Sequence, residues 1–120
     1  MATEVQPRPF RFTASEYSTI AETGLFAGRR CELVEGSIVE REQISPRRAT
    51  ARTLARTALD LAFPVRHVVR PRLPLVLDAS VPEPDVAIVV GDLRTHVDAH
   101  PTTALLVVEV VDAGTLRWTP

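Results

Sequence analysis

Residues 84–90, PDVAIVV, decide the fold class, because they place an acidic residue directly before a short apolar run. A second run, LLVVEVV at 105–111, carries an acidic residue inside it. Nearly continuous apolar runs of this length are typical of strands buried on both faces, here predicted at 86–90 and 105–111. Asp85 and Glu109 therefore stand where an ionised carboxylate is costly unless it is paired or binds a metal.

The segments that precede these runs predict two helices. Thr13 followed by Glu16 fits a capping box, which predicts a short helix at about 14–23. Ser45 and Pro46 are a typical N-cap and first helical residue, and they predict a longer helix that ends at Pro64. Strands are also predicted at 30–34 and 37–41, joined by a tight turn at 35–36. Two more strands are predicted within VRHVVRPRLPLVLD at 65–78. The sum is a mixed α/β (α+β) domain with more strand than helix.

Length and charge restrict the class of protein. The 120 residues fit an extended segment at 1–12 and one domain at 13–120. The net charge of −1 argues against a globally basic nucleic-acid coat, although a local basic patch stays open. A single cysteine, Cys31, cannot form an internal disulfide, which favours a cytoplasmic protein, and no apolar run approaches the ~20 residues that span a membrane.

All 14 basic residues other than histidine are arginines, so the chain has no lysine. Schiff-base chemistry, a Walker-type lysine and a lysine general acid are therefore excluded.

The two acidic residues form a metal-site hypothesis. If strands 86–90 and 105–111 are antiparallel neighbours, one register places Asp85 opposite Glu109, with their Cβ atoms about 5 Å apart. A slip of one residue would place them on opposite faces. Two carboxylates at this separation suit Mg²⁺, or Mn²⁺ in its place, and metal-assisted phosphodiester hydrolysis follows as a hypothesis. The alternative is a structural ion pair between either acid and one of the arginines.

Four segments in order carry a resemblance to a known family. They are GRRCELVEG at 28–36, ISPRRATARTLARTAL at 44–59, RPRLPLVLDASVPEPDVAIVVGD at 70–92 and HPTTALLVVEVVDAGTLR at 100–117. Together they resemble the Uma family (Uma-two) of restriction-endonuclease-type proteins, a bacterial domain of unknown function in the PD-(D/E)XK nuclease superfamily. The resemblance implies a restriction-endonuclease-like core, with a mixed, mostly antiparallel sheet flanked by helices, and endonucleolytic cleavage of DNA.

The resemblance also assigns roles to residues. Pro84-Asp85 matches the PD of the family, and Glu109 matches its acidic residue on the next core strand. These two residues are the metal ligands that the resemblance implies, and Glu32 matches a further acidic residue that approaches the same site. The family commonly has a histidine where this chain has Arg48.

The match covers about the first two-thirds of the family domain, so the resemblance implies a domain that is incomplete at its C-terminus. Val111 stands where a standard (D/E)XK motif has its lysine. The family continues with a lysine on a further helix, which has no counterpart here. An uncovered sheet edge would follow, with marginal stability, a homodimer or a partner that completes the sheet.

Arg48, Arg52 and Arg56 recur every four residues and form a basic stripe on the predicted second helix, opposite Leu54 and Leu61. The stripe can be read as a contact to DNA phosphates or as a solvated helix face, and arginine is common on such faces. Three functions stay open: a Mg²⁺-dependent endonuclease, a catalytically inactive relative that binds nucleic acid or a partner chain, and a small structural interaction domain.

Overall fold

The computed structural model describes residues 5–111, which form an α+β fold of two helices and five strands. The mixed α+β class predicted from the sequence is confirmed. Residues 1–4 of the expected extended segment and residues 112–120 of the expected domain lie outside the described part. The elements, in chain order, are α1 Ala14–Glu22, β1 Arg30–Val34, β2 Ser37–Arg41, α2 Pro46–Ala62, β3 His67–Pro71, β4 Val86–Val90 and β5 Leu106–Val108.

Both helices begin where their capping residues predict. The hydroxyl of Thr13 accepts a hydrogen bond from the backbone N–H of Glu16, and the Glu16 carboxylate accepts one from the N–H of Thr13. Ser45 caps α2 by accepting from the backbone N–H of Arg48, and Pro46 is the first helical residue. These bonds satisfy N–H groups that have no partner within the helix. Within the part of the chain that the structure describes, neither helix is both long enough and apolar enough to cross a membrane.

The first two strands form an antiparallel hairpin with the predicted bounds and turn. Glu35 and Gly36 both have positive φ, at 47° and 85°, as a tight two-residue hairpin turn requires. Leu33 of β1 is fully buried and packs with Tyr17 and Val81. Leu33 and Val81 also exchange backbone hydrogen bonds of 3.4 and 2.8 Å, which attach the hairpin to the segment that leads into β4.

The other three strands form a second antiparallel sheet in the order β3-β4-β5. The central strand β4 has its first four residues buried, as predicted, and α2 packs across β3 and β4. The prediction of a strand at 105–111 buried on both faces is wrong, because β5 covers only Leu106–Val108 and is largely exposed. Within the described residues β5 pairs only with β4, so its other edge has no strand beside it.

The prediction of two strands within 65–78 is also wrong. β3 ends at Pro71, and the following residues up to 80 form no strand. Arg72 turns the chain with a positive φ of 46°, and its backbone N–H is shared between the carbonyl oxygens of Pro84 and Asp85. Pro71 and Pro74 have no N–H to donate, so this segment cannot continue a ladder.

Candidate functional site

The two acidic residues singled out from the sequence meet at one end of the β4–β5 pair. The strands are antiparallel, with Val86 opposite Val108, and the same register continued by one residue places Asp85 opposite Glu109. The metal-site hypothesis is conditional on these strands being antiparallel neighbours, and the structure meets that condition. The backbone N–H of Val110 donates to Asp85 Oδ2 at 2.8 Å, which fixes the Asp85 carboxylate at this edge.

The environment of this pair favours a proton on Glu109. Burial raises the pKa of the Glu109 carboxyl group, and the charge of Asp85 and a hydrogen bond to it raise this pKa further. Asp85 itself is only 2% exposed. Two carboxyl groups this close resist ionising together, and a shared proton or a cation relieves the repulsion.

Glu32 lies on β1 at the border of the same site. Its charge also raises the pKa of Glu109, although less than burial and Asp85 do. Both of its oxygens are engaged: Oε1 accepts from the backbone N–H of Glu83 at 3.0 Å, and Oε2 pairs with Arg41 Nε at 2.9 Å. Glu32 therefore holds β1 against the segment before β4 as well as bordering the acidic pair.

A cavity of about 470 Å³ opens beside Glu109. Its walls carry both signs of charge, and they are formed by Arg30, Glu32, Arg41, Glu42, Arg48, Glu83, Glu109, Val110 and Val111. Residues 5–111 contain no group of three or more histidine, cysteine or acidic side chains arranged to hold a metal ion. Any cation here would have to take most of its ligands from water or from a substrate.

The basic stripe of α2 faces the protein rather than the solvent over part of its length. Arg48 Nε donates to the carbonyl of Val110 at 3.1 Å, and Arg52 Nη1 lies 3.9 Å from Asp85 Oδ1. Leu54 and Leu61 are 66% and 80% exposed. The interpretation of the stripe as a solvated face is therefore wrong for Arg48 and Arg52, because the acidic strand end attracts this side of the helix.

Arg56 differs from the other two members of the stripe. It is exposed and pairs with Asp60 one turn further along, at 3.9 Å. The structure thus gives the three arginines three different environments, and of the three only Arg52 is within ion-pair distance of Asp85.

Charged residues near the site that the sequence did not identify include Arg72 and Glu83, whereas Arg30 could be read from the sequence as a strand residue or a phosphate contact. Burial raises the pKa of Glu83, against the opposing effect of Arg72. Burial, followed by the charges of Arg72 and Arg48, lowers the pKa of Arg30. Glu83 stands two residues before Asp85 and could have been found from that spacing, whereas the position of Arg72 depends on the turn after Pro71.

The arrangement as a whole offers two hard oxygen donors and several guanidinium groups, which are the side-chain types that bind divalent cations and anions, respectively. No family model, curated protein or solved structure matches the chain.

Proposed function

We propose that the chain is a Mg²⁺-dependent DNA phosphodiesterase of the restriction-endonuclease-like type, the class implied by its resemblance to the Uma family. The observation that carries this proposal is the pairing of Asp85 with Glu109 at one strand end. The α+β fold, with a buried central strand that leads away from Asp85, is compatible with such a core. The single free thiol of Cys31 is consistent with a cytoplasmic setting.

The two residues fit a magnesium ion. Mg²⁺ needs only one or two protein carboxylates and completes its octahedron with water and substrate phosphate. The raised pKa of Glu109 favours a proton there, and a divalent cation would compete with that proton. Asp85 is already held in place by the N–H of Val110. When bound, the ion would supply an activated water and neutralise charge on the scissile phosphate. Mn²⁺ would be accepted at the same ligands.

Isothermal titration calorimetry with Mg²⁺ and Mn²⁺ tests the metal site. We expect saturable heat for the wild type and its loss in Asp85→Asn, because the buried ligand is then neutral. Asp98→Asn is the matched control, since it removes one carboxylate charge from the exposed connector between β4 and β5. The control should bind as the wild type does. Identical titrations of all three proteins would contradict the proposal.

A second candidate function is that of a catalytically inactive relative that binds nucleic acid. Two observations favour it: Asp85 already has the Val110 N–H and the Arg52 guanidinium as partners, and the chain has no lysine. A nicking assay on supercoiled DNA, with Mg²⁺ or Mn²⁺, separates the two functions. Cleavage that disappears in Asp85→Asn supports the nuclease, and DNA binding without cleavage supports the inactive relative.

A further inference from the structure

A second cleft, distinct from the cavity at Glu109, lies between α2 and the end of β3. Its volume is about 290 Å³, and it is lined by Arg52, Thr53, Arg56, Pro71 and Arg72. Three of its five lining residues are arginines and none is acidic. One of them, Arg52, also lies 3.9 Å from Asp85, so the cleft begins one side chain away from the acidic pair.

The arginines of this cleft have hydrogen-bonding capacity to spare. Among the hydrogen bonds of residues 5–111, none is donated by the side chain of Arg52, Arg56 or Arg72, whereas those of Arg30, Arg41 and Arg48 each donate one. Nη1 of Arg52 and Nε of Arg72 are shielded from solvent and have no hydrogen-bond partner among the described residues. Each guanidinium has five N–H donors in a planar fork, so the three groups offer several donors on one cleft to a bound anion.

No acidic residue is part of the lining of the cleft. Asp85 lies 3.9 Å from Arg52, yet its other oxygen accepts from the N–H of Val110, and the carboxylate also interacts with Glu109. The ion pair of Arg56 with Asp60 is long, at 3.9 Å, and both side chains are more than half exposed. Arg72 also acts on Arg30, whose pKa it lowers together with burial. The lining of the cleft thus carries three cations and no anion. The acids that face these arginines lie outside the lining: Asp85 beside Arg52, Asp60 beside Arg56 and Glu83 near Arg72.

We propose that Arg52, Arg56 and Arg72 bind a phosphate group of the DNA backbone, adjacent to the phosphate that lies at Asp85 and Glu109. Guanidinium groups match phosphate oxygens in charge and in fork geometry, which makes arginine the usual residue for such contacts. The identity of the ligand as DNA rests on the proposed function, whereas the existence of a phosphate site rests on the cleft alone. In this proposal, three of the arginines take the phosphate-binding role that lysine could share in other chains.

Fluorescence anisotropy with a short labelled DNA duplex, in a metal chelator, tests the site without the metal. We expect Arg56→Gln and Arg72→Gln each to reduce the slope of log affinity against log salt concentration by about 0.9, the value for one lost phosphate contact. Arg47→Gln removes the same charge from an exposed position near the start of α2, outside both clefts, and should leave the slope unchanged. Arg56 is exposed, so its replacement keeps the test valid even if Arg72→Gln is poorly folded.

The outcomes separate this inference from the proposed function. Equal slopes for the wild type, Arg47→Gln, Arg56→Gln and Arg72→Gln would overturn the phosphate site, even if Mg²⁺ binds and DNA is cleaved. Reduced slopes in the two cleft variants would support it, even if no metal binds at Asp85. A titration with inorganic phosphate is the second experiment. If Arg72→Gln loses binding of inorganic phosphate while its DNA binding is unchanged, the cleft binds free phosphate and the assignment to DNA is wrong.

Discussion

At the scale of single residues, the ionisation of Glu109 should make the stability of the protein depend on pH. Its pKa is raised above the ordinary 4.5, first by burial and then by Asp85. A carboxyl group with a higher pKa in the folded than in the unfolded protein favours folding while it is protonated. This contribution is lost as the pH rises through the raised pKa. We therefore expect the wild type to lose stability relative to Glu109→Gln above pH 4.5.

Urea denaturation of both proteins across this pH range checks the prediction, with the difference in free energy of unfolding as the measured quantity. Glu40→Gln is the matched control, because Glu40 is an exposed glutamate on β2, and its difference from the wild type should stay flat. If the free energy of unfolding of the wild type and of Glu109→Gln varies with pH in parallel, the pKa of Glu109 is not raised in the folded protein, and the prediction is wrong. Because the Glu109→Gln substitution replaces a carboxylate with a neutral amide, this variant should also fail to bind Mg²⁺ in calorimetry.

At the scale of elements, α2 differs from a usual amphipathic helix, because part of its arginine side faces the protein and two of its leucines, Leu54 and Leu61, are exposed. Arg48, Arg52, Ala55 and Leu59 recur at helical spacing and are all half-buried, whereas Leu61 on another side is 80% exposed. We expect Leu61→Gln to change the free energy of unfolding by less than about 0.5 kcal/mol, as exposed substitutions do, and Leu59→Gln to cost about 1 kcal/mol or more. Chemical denaturation of the two variants measures both values. A larger loss for Leu61→Gln than for Leu59→Gln would mean that the apolar side of α2 is the packed one.

The sequence predicts this helix but not its orientation, and the reason is electrostatic. The cap at Ser45, the proline at Pro46 and the stop at Pro64 are local signals, and they set the bounds of α2 to within two residues. The spacing of leucines and arginines shows two sides without indicating which one packs. That choice depends on Asp85, which is distant in the chain and attracts Arg52.

The strands differ in the same way. β1, β2 and β4 match their predicted bounds, because a hairpin turn and an apolar run are local features. LLVVEVV reads as a strand buried on both faces, but its burial depends on whether a further strand or helix lies beside it, and none does within the described residues. The sequence identified the register that pairs Asp85 with Glu109, but it did not decide between that register and one slipped by a residue. The position of Arg72 could not be predicted from the sequence, because the turn that positions it depends on hydrogen bonds to the carbonyl oxygens of Pro84 and Asp85.

At the scale of the whole molecule, the hairpin is attached to the segment that leads into β4 by a small set of contacts, with Leu33 and Val81 among them. Leu33 is fully buried, packs on Tyr17 and exchanges two backbone hydrogen bonds with Val81. The adjacent Glu32 accepts from the N–H of Glu83, so the same junction borders the acidic site.

We expect Leu33→Ala to lower the free energy of unfolding by about 2–5 kcal/mol, the usual range for a buried leucine. A loss of this size is a large fraction of the stability of a small domain, which is about 5–15 kcal/mol. Because the junction is shared, amide hydrogen exchange should accelerate in β1 and in β4 together, although Leu33 lies only in β1. Leu105→Ala, at a residue that is 59% exposed, is the matched control and should leave the exchange of both strands close to that of the wild type. Faster exchange confined to β1 and β2 would show that the hairpin unfolds independently, and the acidic pair would then be held by the three-stranded sheet without help from Glu32.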